Sequence, residues 1–104
     1  MTIPDQYHEY LNAGGESEFE VDLEFGSYII LEPIDEIEQF NSDIEIDIYA
    51  PGYLAFASDG GGEAFAFNKE GAIFSLPLVG MSQDEAKRIA DSWTEFESKK
   101  IKTL

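Results

Sequence analysis

An α+β domain built on an antiparallel (mixed) sheet is what the sequence predicts, and three observations predict it. Short runs at 18–25, 53–57, 63–68 and 72–77 alternate large apolar residues with polar or small ones, the period of strands. Pro, Gly and Asn punctuate these runs at intervals suited to tight connections. Ala86, Ile89, Ala90, Trp93 and Phe96 then trace an apolar stripe at helical spacing, a C-terminal amphipathic helix that covers the sheet. The 104 residues, 43% of them hydrophobic, fit one domain spanning 1–104.

Each element follows from local chemistry. Pro4 suits a first helical turn, and Tyr7, Tyr10 and Leu11 stand at i, i+3 and i+4, so a short helix is predicted over 4–12. Asn12-Ala13-Gly14-Gly15 supplies its exit. The run 18–25 alternates strictly, with Phe19, Val21, Leu23 and Phe25 on one side and Glu18, Glu20, Asp22 and Glu24 on the other. Gly26 breaks it, and SYIIL resumes as a second strand. Pro33 opens a short helix to Asn41, with Asp35 and Glu36 opposing the positive end of its dipole. The segment 43–49 alternates again, Ile44, Ile46 and Ile48 against Asp43, Glu45 and Asp47, and is expected to be extended. Three strands in a meander follow, with Phe65 and Phe67 on one face joined by Phe56 and Phe74. Ser82 and Glu85 stand three apart as a capping box for a helix over about 82–98, in which Trp93 belongs to the core.

Composition bounds the chemistry. With no cysteine there is no disulfide, no thiol nucleophile and no thiolate metal site. Neither a signal peptide nor a membrane-spanning run is legible, so the expected compartment is the cytoplasm. Net charge is −16 and unevenly placed: all six Lys and Arg residues follow position 68, whereas 16 of the 22 Asp and Glu residues lie at or before Glu63. Such a field repels nucleic acid and anionic membranes and favours a basic partner, although an acidic surface also serves solubility alone.

The stretch Ser58-Asp59-Gly60-Gly61-Gly62-Glu63 raises three possibilities. A phosphate loop would need a helix or a Lys-Ser/Thr pair directly after it, and two acids flank it instead. A calcium site would use Ser58, Asp59 and Glu63, which do not follow the EF-hand spacing. A structural turn needs only the freedom of glycine and is the favoured reading for Asp59, Gly60, Gly61 and Gly62. His8 is the one histidine and reads as a solvated helix-face residue. Carboxylate pairs are expected by chance among 22 acids, so no catalytic residue, metal or cofactor is assigned.

The order of pieces resembles the SUKH superfamily, the SMI/KNR-type domains. Tyr10, Leu11, Asn12, Gly14 and Gly15 match its helix exit, Leu31, Ile34, Asp35, Glu36 and Ile37 its small helix, and Ser58 to Glu63 its glycine turn between two strands. The resemblance implies a non-enzymatic protein-binding domain whose bacterial relatives are largely immunity proteins that neutralise toxins. Combined with the charge map, it points to a toxin with a basic surface, of nuclease type, as partner, met by Glu18, Glu20, Asp22, Glu24, Asp43, Glu45 and Asp47. A regulatory domain binding a cellular protein is the alternative, and a small metal-dependent hydrolase using Asp59 and Glu63 the more distant one.

Overall fold

Pro4 precedes the first helix with φ −58° and ψ 145°, and its carbonyl accepts from the N–H groups of Tyr7 and His8. The computed structural model describes residues 2–23 and 27–101. Helix α1 (Asp5–Asn12) buries Tyr7 and Tyr10. Its exit must be glycine at Gly15, where an added Cβ would lie 2.3 Å from the Tyr10 ring. The chain then turns into a six-stranded antiparallel sheet of order β1-β2-β3-β4-β5-β6.

Strand β1 (Glu18–Val21) buries Phe19 and Val21 and pairs with β2 (Ser27–Leu31), from Glu18 opposite Ile30 to Val21 opposite Ser27. It is shorter than its alternation predicts. Leu23 donates its N–H back to the Val21 carbonyl, which takes the chain off the ladder. The predicted positions of Glu24, Phe25 and Gly26 lie outside the described residues.

Pro33 ends β2 and leads through a 3-10 turn, Ile34–Glu36, into α2 (Ile37–Asp43), as the sequence predicts. Once β2 has left, Ala55 of β3 (Leu54–Ser58) needs another partner on that side, and the Asn41 carboxamide supplies it. Asn41 Nδ2 donates to the Ala55 carbonyl at 2.8 Å and to the Ile37 carbonyl at 2.7 Å, and its Oδ1 accepts from the Ala55 N–H at 2.7 Å. One side chain thus does the work of a missing strand. It also fixes α2 against the sheet.

The segment 43–49 is not a strand. After α2 it passes through Glu45 in the left-handed region, φ 54°, into the single helical turn α3 (Ile46–Tyr49). There is no slot for it in the sheet, because β2 pairs directly with β3 through Ile30 opposite Ser58 and Leu31 opposite Ala57. Its backbone groups bond locally instead, Tyr49 N–H to the Glu45 carbonyl and Ala50 N–H to that of Ile46. Only Ile46 is fully buried, whereas Ile48 is 70% exposed, so the three isoleucines do not share a face.

The meander of β3, β4 (Glu63–Phe67) and β5 (Ile73–Pro77) forms as predicted, with a bulge between Ala55 and Ala57. Phe65, Phe67 and Ile73 point to one face, where Phe56 stacks on Phe67 at 4.1 Å and Tyr7, Trp93 and Phe96 complete an aromatic core. Phe74 does not join them. Register sets it opposite Ala66, on the other face, where it meets Tyr53 edge-on at 5.1 Å. That second face carries a smaller core of Ala55, Ala66 and Leu76 under Ile46 and Ala50. Both faces are therefore packed.

The long helix over 82–98 is three elements. A 3-10 turn, Gln83–Glu85, leads into strand β6 (Lys87–Ala90), which pairs with β5, and then into α4 (Trp93–Ser98). Ser82 makes no side-chain cap, whereas Ser92 accepts from the Glu95 N–H at 3.1 Å and Glu95 Oε1 accepts from the Asp91 N–H. The cap belongs to Ser92, ten residues later, and the Glu95 side chain reaches back past the N-cap to the Asp91 N–H, so the reciprocal capping box is not formed. Trp93 and Phe96, one helical turn apart, are the part of the apolar stripe that the helix does present to the core.

Candidate protein-binding surface

Because Phe19 and Val21 face the core, the strand period sends Glu18 and Glu20 to the outer side of β1. Glu18 lies opposite Ile30 and Glu20 opposite Tyr28. Tyr28 is 43% exposed and donates its hydroxyl to Glu18 Oε2 at 2.7 Å, a bond that holds its phenol above the ordinary value. The two carboxylates, Tyr28, Glu16 and Glu97 line an open groove.

The C-terminal segment buttresses this face. Asp22 donates its N–H to the Lys99 carbonyl at 2.7 Å and Ile101 donates to the Glu20 carbonyl at 2.9 Å, so residues 99–101 run beside β1 as a short antiparallel partner. Lys100 pins them down. Its ammonium donates to Tyr10 Oη at 2.6 Å, lies 4.4 Å from the centres of both the Tyr10 and Phe19 rings, and stands 3.7 Å from Glu16 Oε1. Tyr10 in turn donates its hydroxyl to the Glu16 carbonyl at 2.6 Å. Sequence reasoning counts Lys100 only among the six basic residues after position 68. The structure makes it an anchor sealed between two aromatic rings, its side chain 16% exposed.

The other acidic positions do not gather on this face. Asp22 lies past the end of β1 and lines a separate cleft with Asp59, Glu63, Lys87 and Lys99. Asp43 closes α2 and accepts from Gln39 Nε2 at 2.7 Å, Glu45 occupies the left-handed link, and Asp47 sits in α3. All three are exposed, as the sequence expects, but as a scatter on the helical layer and not as a second strand row. Glu24 lies outside the described residues.

The glycine loop is a turn. Asp59 Oδ1 accepts from the Gly61 N–H at 2.8 Å and the Glu63 N–H at 3.1 Å, while the Asp59 N–H donates to the Glu63 carbonyl. One of its carboxylate oxygens is thereby committed to the backbone. Burial, and then the nearby Asp59 charge, push the Glu63 carboxyl above its usual range. Among the described residues no group of three His, Asp or Glu side chains is placed to hold a metal ion. His8 is exposed on α1 and Trp93 is fully buried, both as the sequence predicts.

Fold and surface together define a small α+β domain with exposed carboxylates on the outer side of β1 and scattered over the helical layer. The family model of the SMI1 / KNR4 family (SUKH-1) matches residues 1–99, and the chain belongs to that family. Domains of this family are generally non-catalytic binding modules. No curated protein matches the chain.

Proposed function

We propose that the protein is a non-enzymatic immunity protein that neutralises a bacterial toxin by occupying a basic surface on it, the substrate groove of a nuclease being the surface that fits best. One observation carries this reading. Glu18 and Glu20 stand exposed on a strand whose two neighbours, β2 and residues 99–101, hold it rigid, within a stretch of 68 residues that contains 16 carboxylates and no Lys or Arg. Preorganised carboxylates cost little further ordering on binding and attract a cationic groove before contact.

Co-expression with a toxin domain whose gene neighbours that of this chain, once such a gene is identified, tests the proposal. The parent chain is expected to restore growth, and the double variant Glu18→Lys, Glu20→Lys, still folded by circular dichroism, is expected to lose most of that protection. Unchanged protection by the double variant contradicts the assignment of this face. Failure of the parent chain to protect, when both proteins accumulate, contradicts the immunity reading and favours a regulatory partner.

A further inference from the structure

The groove between α2, α3 and the start of β3 differs from the others on this molecule. Those beside β1 and α1 contain Lys100, and the cleft at β6 contains Lys87, Arg88 and Lys99. Here the described lining residues include no Lys or Arg at all. Ile3, Ile37 and Leu54 form an apolar floor, Ile34 stands 49% exposed at its edge, and the carboxylates of Glu38 and Asp47 rim it. Its volume, about 700 Å³, accommodates more than one side chain. The floor is held still, because the Asn41 carboxamide ties the Ile37 carbonyl to both backbone groups of Ala55.

An apolar, preorganised centre inside a charged rim is how energetically dominant positions of protein interfaces are built. We infer that this groove is a docking site for an aliphatic or aromatic side chain of a basic protein segment, whose flanking Lys or Arg residues meet Glu38 and Asp47. Charge complementarity selects that occupant: two carboxylates with no cation beside them repel an acidic segment, and the exposed Ile34 gains only from an apolar one. The inference rests on the reading of the partner as a basic protein and adds to the β1 face a second place where apolar burial supplies selectivity. A second copy of this chain fits poorly, since its own charge is −16.

The test uses the full chain, labelled with 15N, and two synthetic peptides of equal charge, Lys-Arg-Leu-Lys-Phe-Arg and Lys-Arg-Gly-Lys-Ser-Arg. The Leu/Phe peptide is expected to bind about tenfold tighter and to shift the amides of Ile34, Ile37 and Leu54. Ile34→Ser, at a half-exposed position that leaves the core closed, is expected to abolish that advantage without changing the affinity of the Gly/Ser peptide. Glu38→Lys with Asp47→Lys weakens both peptides. Equal affinities, shifts confined to Glu18 and Glu20, or no binding at low salt would each overturn the inference. None of these results touches toxin protection, which stands or falls by co-expression.

Discussion

At Gly60 the backbone takes φ +77°, and a Cβ there would meet Ile30 Cδ1 at 3.1 Å. The positive φ favours glycine and a side chain would also have to push the Ile30 methyl aside by a few tenths of an ångström, whereas Gly61 and Gly62 lie outside the left-handed region and Gly62 has open space around it. The three glycines are therefore unequal. Gly60→Val is expected to destabilise the domain by about 1–3 kcal/mol through backbone strain. Gly62→Ala is expected to stay within about 0.5 kcal/mol of the parent. Urea denaturation separates the two, and equal losses would return all three glycines to a single role. That the loop is a turn was legible from its flanking acids and following strand. Which glycine carries the strain was not, because φ depends on where Asp59 Oδ1 finds its N–H partners.

Elements were legible where the local pattern had one tertiary solution. The β3-β4-β5 meander and α1 follow from alternation, turn residues and Pro4. Alternation misled at 43–49 because a strand also needs a neighbour, and β2 and β3 already occupy each other's edges. Helical spacing misled at 86–90 for the complementary reason: β5 has a free edge there, and pairing with it satisfies the backbone that a helix would otherwise satisfy. The same competition moved the helix start and its cap to Ser92. Ser82 and Ser92 both carry Glu three residues on, and only Ser92 precedes a helix. Ser92→Ala is expected to cost about 1 kcal/mol, the usual worth of a cap, and Ser82→Ala within about 0.5 kcal/mol. A larger loss at Ser82 in thermal melts would mean that the 3-10 turn depends on a contact of that side chain.

For the whole molecule, the sign and unevenness of the charge were legible from composition, and the geometry of the face was not. Alternation placed Glu18 and Glu20 correctly because one strand with one buried side determines both. It could not reveal that Lys100, 80 residues away, closes the other edge of that strand by wedging between Tyr10 and Phe19. Nor could it disperse Asp22, Asp43, Glu45 and Asp47 onto other parts of the surface. What remains is a domain with a net charge of −16 that exposes carboxylates, which the proposed function matches to a basic partner. Attraction of this kind acts mainly on association, raising on-rates by orders of magnitude at low salt and fading as the Debye length contracts from about 30 Å at 0.01 M to about 8 Å at 0.15 M. The direct measurement is the association rate with the proposed toxin partner, by stopped flow across that salt range, for the parent and for Glu18→Lys, Glu20→Lys. The account predicts a fall of about tenfold or more for the parent and a slower, flatter profile for the variant. An on-rate that ignores salt, or a variant that associates as fast as the parent, would contradict it.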